Sequence, residues 1–403
     1  MIKLSEVCDI IGDGLHGTPI FSDDGDYYFV NGNNLFNGKI QVSKDTKKCD
    51  ESQYLLYKKP LNERTILLSI NGTIGNLAYY NGENVILGKS ACYLNIKENY
   101  DKKYMYYVFL NNDFQKYIKQ YATGTTIKNT GLQTIRDYTL SIPDIEEQQA
   151  IADVLSSFDD KIELNNQIIK NLEEQAQSLY KHWFVDFEFP DKDGKPYKSN
   201  GGKFKESELG LIPEGWVVRK LHNLIVKNNN KFTNQEDWKD LKIIDLSVMP
   251  QFSLNIKTFN KGESFTTNIY KLNEYDLLFG SIRSYFGKAG FSPIEGAVAG
   301  TVHCFNPKNK DNFSFLLELI TSKDFIDKTV KLSSGTKMPV INWETFCNIE
   351  ICTSDGNIEK LLNEIIIDNI IKIKNLILEN QKLAQARDYL LPKLMNGEIK
   401  VEK

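Results

Sequence analysis

Ser69-Ile70-Asn71-Gly72-Thr73-Ile74-Gly75 lines up with Ser281-Ile282-Arg283-Ser284-Tyr285-Phe286-Gly287 at a shift of 212 residues. The same shift pairs Gly88 with Gly300 and Cys92-Tyr93 with Cys304-Phe305. Further on, a shift of 211 sets Gly124-Thr125-Thr126-Ile127 against Gly335-Thr336-Lys337-Met338, and Leu132-Gln133-Thr134-Ile135 against Trp343-Glu344-Thr345-Phe346. A single-residue deletion accounts for the change of register. Two copies of about 200 residues make a duplicated two-part module, because solenoids repeat at roughly 20 to 50 residues.

Within each copy, aromatic and β-branched runs with Gly/Asn turns precede one long helical segment. In the first copy Ile66–Ile70 and Ala91–Ile96 read as strands and Lys103–Gln120 as a shorter helical stretch. Asp144, with Glu147 three residues on, resembles a capping box that opens the long helix. That helix carries Ile151, Leu155, Phe158, Ile162, Asn165, Ile169, Leu172, Ala176, Leu179 and Trp183 at spacings alternating four and three, a heptad seam. The second copy offers Leu362, Ile366, Ile373, Leu376, Leu383, Leu390 and Leu394, with Asn369, Asn380 and Arg387 at the polar positions. Two matched seams in one chain can bury each other; alternatively, each helix caps its own domain. At 1.5 Å per residue the first helix makes a rod of about 50 Å, a spacer. Phe189-Pro190-Asp191-Lys192-Asp193-Gly194-Lys195-Pro196, continuing to Ser199-Asn200-Gly201-Gly202, is rich in turn residues and reads as a linker.

The 403 residues exceed what one core usually holds. Hydrophobic residues at 41% and charged residues at 25% are those of a folded globular chain, not a disordered or fibrous one. No apolar run of about 18 residues occurs, and Met1–Glu6 lacks a signal-peptide layout, so the expected location is cytoplasmic and no membrane is involved. Six scattered cysteines without a C-x-x-C pair read as reduced core residues, not zinc ligands or a disulfide scaffold. A net charge of −4 provides no bulk attraction to nucleic acid, so any DNA contact needs a local basic surface.

Several strings carry the letters of catalysis without its context. Gly12-Asp13-Gly14-Leu15-His16-Gly17 fits a dinucleotide turn, but Thr18–Gly25 reads as loop where a helix must follow. Gly82–Ser90 misses the P-loop by one residue between its glycines. Asp191 and Asp193 sit on the turn-rich segment, too close together for a nuclease site. The four histidines show no ligand spacing, no nucleophile elbow occurs, and no Asn-Pro-Pro-aromatic loop of an adenine methyltransferase is present.

Leu179-Tyr180-Lys181-His182-Trp183-Phe184-Val185-Asp186-Phe187 at the end of the first helix resembles the central helix end of the specificity (S) subunits of type I restriction-modification systems. Asp13–Pro19, Ile212-Pro213-Glu214-Gly215-Trp216 and Arg387-Asp388-Tyr389-Leu390-Leu391-Pro392-Lys393-Leu394 resemble the same family, in the same order, so the resemblance covers essentially the whole chain. It implies an α+β protein: two similar target-recognition domains separated by two long antiparallel coiled-coil helices, an internal pseudo-two-fold duplication. The expected segments are a first target-recognition domain at 1–143, a first helix at 144–187, a linker at 188–211, a second domain at 212–354 and a second helix at 355–396. In the second copy Thr353-Ser354-Asp355-Gly356-Asn357 lacks the Pro and Glu-Gln of the first, which leaves the helix start open there.

The resemblance further implies a non-catalytic protein that reads a bipartite, asymmetric sequence in double-stranded DNA. Its partners would be two modification (methyltransferase) subunits and restriction motor-nuclease subunits. S-adenosylmethionine, ATP and magnesium would belong to those partners, leaving this chain with no cofactor and no metal. The alternatives are a coiled-coil adaptor that binds no DNA and a stand-alone DNA-modifying enzyme. Gly/Thr/Asn/Lys loops suit phosphate contact, and Asn, Gln, Lys and Arg read base edges. The candidates are His16, Thr18, Asn71, Thr73, Thr125, Lys128 and Asn129 in copy one, and Arg283, Ser284, Tyr285, Lys288, Ser334, Thr336 and Lys337 in copy two; each is otherwise a turn residue without a ligand.

Overall fold

The computed structural model describes residues 1–266 and 268–401. The chain forms two compact units, one of Met1–Asp160 with the C-terminal segment from Ala384, the other of Lys161–Leu383.

In the first unit β1 (Cys8–Asp13), β2 (Tyr27–Val30), β3 (Thr65–Ser69), β4 (Leu77–Tyr79), β5 (Val85–Leu87) and β6 (Ala91–Ile96) supply two sheets. The larger is antiparallel in the order β1-β6-β3-β4, with Cys92 opposite both Asp13 and Leu68. In the smaller, β2 runs parallel to β5 and antiparallel to Lys48–Cys49. Strands β3 and β6 are buried throughout, and their two-residue alternation divides the faces between two cores. Ile66, Leu68, Cys92 and Leu94 pack toward the helices, whereas Leu67, Ala91 and Tyr93 pack toward the smaller sheet. The helical stretch expected at 103–120 is two helices, α1 (Lys102–Leu110) and α2 (Asn112–Gln120), because Asn111 is extended at φ −61°, ψ 142°. A short α3 (Leu132–Asp137) follows. The long α4 (Ile145–Tyr180) starts where Asp144 Oδ1 accepts the Glu147 amide at 2.9 Å.

The second unit repeats this plan. The strands that correspond are β7 (Ile225–Lys227), β8 (Lys242–Ile244), β9 (Leu277–Gly280), β10 (Ala289–Phe291), β11 (Gly296–Ala299) and β12 (Val302–Pro307). The order β7-β12-β9-β10 and the parallel β8–β11 pair reproduce the first unit. Helices α5 (Phe313–Thr321), α6 (Lys323–Leu332), α7 (Trp343–Cys347) and α8 (Asn357–Met395) correspond to α1–α4.

Helix α8 begins at Asn357: the Ser354 hydroxyl accepts the amides of Gly356 and Ile358 and is itself held by the buried Glu359 carboxylate. Segment 188–211 is folded, not a free linker. Phe189 is buried and stacks on Tyr197 and Trp216, and Phe204–Ser207 pairs with Gly210–Pro213 as a hairpin. Three aromatic anchors among the turn residues explain the difference.

The helices both pair and cap. In the first unit Ile151, Leu155, Leu391 and Leu394 share the core of the domain, and the Arg387 guanidinium bonds Asp159. In the second, Asn165 Nδ2 donates to Glu379 Oε2 and Asn380 Oδ1, both at 2.9 Å. Ile169, Ala176 and Trp183 enter the same cluster as Leu362, Ile366, Ile370, Ile373 and Ile377. That stripe corrects the expected seam, since Ile370 and Ile377 are buried there while Leu376 is half-buried. Against a wide domain core a helix follows its 3.6-residue period instead of the 3.5-residue seam of a free coiled coil. Phe158, Ile162, Leu172, Leu179, Leu383 and Leu390 are likewise half-buried.

Candidate nucleic-acid interface

Each unit builds the same small platform at the end of its larger sheet. In copy one the chain turns after β3, with the Gly75 amide returning to the Ser69 carbonyl at 2.9 Å. Gly75 has φ +102°, and an added Cβ would strike the Gln115 side chain from α2 at 2.1 Å, so glycine is required for that approach. Residues 123–129 form a hairpin tip, closed by two amide–carbonyl bonds between Thr123 and Asn129 at 2.9 and 2.7 Å. The Gly72 amide donates to the Lys128 carbonyl and the Thr130 amide to the Ile70 carbonyl, laying this tip beside the turn. Sequence-distant Asn71, Thr73, Thr125, Lys128 and Asn129 are thereby brought together, with Thr73, Thr125 and Lys128 exposed and the two asparagines half-buried.

His16 and Thr18 follow β1 and are exposed, at the same sheet end and on the far side of β6. His16 Nε2 lies 2.6 Å from Asp13 Oδ2. Gly14 sits under the carbonyls of Leu87 and Gly88, so this glycine pattern serves a close strand approach and no helix follows it.

Copy two places Ser281–Lys288 against Ser334–Val340 in the same way: Ser334 and Val340 exchange amide–carbonyl bonds, and the Arg283 amide donates to the Pro339 carbonyl at 2.8 Å. Arg283 adopts φ +51°, a left-handed conformation unusual for a bulky residue, and its buried Nε has no hydrogen-bond partner. Tyr285, Ser334, Thr336 and Lys337 are exposed. Two candidates are corrected. Ser284 is 4% exposed, its hydroxyl turned to Ser333. Lys288 is half-buried and its ammonium donates to the Leu246 carbonyl, because its position between the turn and β10 points it at that loop. Phe252, from the same loop, was not legible in the sequence: it lies outside the matched copies, yet its exposed ring covers Gly287. Beneath the platform His303 donates to the Ile341 carbonyl at 2.9 Å, and burial pushes its pKa down to about 4, so it is neutral at physiological pH.

Most of the platform side chains are exposed. Among the described residues no group of three His, Cys, Asp or Glu side chains is placed to hold a metal ion, and no helix is long and apolar enough to cross a membrane. The Asp191 carboxylate accepts the amides of Asp193 and Lys195, closing a turn.

This duplicated fold is that of DNA-specificity proteins. A crystal structure of a type I restriction-modification system S subunit from M. genitalium matches it with a TM-score of 0.56 at 18% identity, covering 98% of this chain and 95% of that one. The type I restriction modification DNA specificity domain matches twice, at residues 1–174 and 213–386, and the chain belongs to that family. It is 28% identical over 359 residues to the type I restriction enzyme MjaIX specificity subunit of Methanocaldococcus jannaschii, covering 84% of this chain and 78% of that one. It is 25% identical over 357 residues to the HindI specificity subunit of Haemophilus influenzae, covering 74% and 77%. Sequence-specific DNA recognition in a restriction-modification system is the function that goes with this membership.

Proposed function

We propose that each unit reads one half of a split, asymmetric DNA target through its platform, and that the helices α4 and α8 set the separation of the half-sites. The observation that carries this is the same hairpin-on-turn platform built twice in one chain with different side chains on it, such as Asn71 and Arg283 at matched positions. Like platforms with unlike side chains read unlike half-sites. DNA contact falls to His16, Thr18, Asn71, Thr73, Thr125, Lys128 and Asn129 in one unit and to Arg283, Tyr285, Ser334, Thr336 and Lys337 in the other. The chain carries out no reaction itself. Two modification subunits bring S-adenosylmethionine and methylate adenine, and motor-nuclease subunits bring ATP and magnesium, all in the cytoplasm. Mapping adenine methylation in cells that produce the chain with its modification subunits tests this. A single split motif that changes in one half when one platform is exchanged supports the reading; an undivided motif, or none, overturns it.

A further inference from the structure

The shift of 211 residues that relates the two hairpin tips also relates Ile127 to Met338. Both are large apolar side chains at the outermost part of the tip, 62% and 54% exposed. The glycine that backs each tip is left-handed, Gly124 at φ +106° and Gly335 at φ +101°, so both loops project the same way from their own platforms. Thr125, Thr126 and Lys128 flank Ile127, and Thr336 and Lys337 precede Met338. In a chain with 53 acidic residues, none occurs in 69–76, 121–131, 281–288 or 331–341. An apolar point inside a patch cleared of carboxylates and edged with lysine and threonine matches a base framed by phosphates.

We propose that Ile127 and Met338 are specificity-determining residues, each packing its side chain on a base of one half-site. This rests on the DNA reading above and adds to it a contact of apolar kind, such as that with a thymine methyl group. Lys128 and Lys337, next in the chain, then lie at the adjoining phosphates.

The full chain is incubated with a duplex pool of randomised sequence, and the retained DNA is sequenced for the wild type, Ile127→Ala and Met338→Ala, with thermal melting as the check on folding. Each variant is expected to melt as the wild type does and to lose about tenfold in preference at one or two adjacent positions. Those positions lie in one half-site for Ile127→Ala and in the other for Met338→Ala. A second pool, made with uracil in place of thymine, reproduces the loss in the wild type if the partner is a thymine methyl. Unchanged preferences in both variants overturn the proposal while leaving the DNA reading intact. So does an unchanged preference accompanied by lost co-purification of a modification subunit, which assigns the tips to a protein contact. A wild type that selects no motif removes the DNA reading and this inference with it.

Discussion

Arg283 occupies a left-handed backbone position that any L-residue other than glycine pays to enter, with one guanidinium nitrogen buried and unpartnered. A strained, half-buried arginine on the platform is a candidate for function that substitution tests. Arg283→Ala keeps the backbone penalty unchanged and removes only the side chain. It is expected to relax one base of one half-site by about 1–3 kcal/mol, seen in methylation of a library of single-base variants. Equal loss at every position would make Arg283 a phosphate or structural residue. Lys337→Ala, by contrast, should weaken all sequences alike and shallow the salt dependence by about one charge. Glu318 is a second residue whose chemistry is set by its surroundings. It is 2% exposed, and burial, with Glu173 nearby, pushes its pKa up to about 8 against the opposing hydrogen bond from Gln177. A carboxyl that holds its proton in the folded chain and loses it in the unfolded one favours folding fully below its ordinary value of 4.5. That contribution is lost as pH rises through about 8. The lowered pKa of His303 acts in the opposite sense only below its ordinary 6.5. Melting temperature should therefore fall between about pH 6.5 and 8, and Glu318→Gln should flatten that fall; an unaltered slope in the variant removes Glu318 as its cause.

At the scale of the elements, the helix pair is polar where a coiled coil would be apolar. Asn165 is fully buried; its amide nitrogen is satisfied by Glu379 and Asn380, and its own Oδ1 has no partner. A buried half-satisfied amide lowers stability and fixes register. Asn165→Leu is expected to raise the melting temperature and to loosen the half-site spacing accepted in methylation mapping. A lower melting temperature would show that these hydrogen bonds stabilise the fold on balance. Leu172, half-buried, is a weaker anchor than the seam spacing implied, whereas Ile169 at 1% exposure is a full one. Ile169→Ala should cost about 2–5 kcal/mol in denaturant unfolding.

At the scale of the whole molecule, the first unit is discontinuous in sequence. The segment from Ala384 returns to it, and Leu391 and Leu394 complete a core that begins with Leu4 and Val7. Truncation after Leu383 should therefore destabilise the N-terminal unit, though every residue of its sheets remains. Protease digestion reads this directly: sites within 1–160 become susceptible, and their continued protection would mean the unit closes without its C-terminal segment.

The duplication, the order of strands and helices in each copy, the cap at Asp144 and the two glycine-backed loops were legible in the sequence because they rest on local signals: a fixed shift, periodicity of two or near 3.6, and turn chemistry. The break at Asn111 was not, since asparagine is tolerated within a helix and only its extended backbone ends one there. Tertiary structure alone decided that the turn after β3 and the hairpin about 50 residues later form one platform, that Ser284 is buried and Lys288 is tied to the Leu246 carbonyl, and that Ile370 and Ile377 replace part of the expected seam. Each of these depends on which surface an element meets, and that is set by packing between residues far apart in the chain, which neither composition nor spacing records.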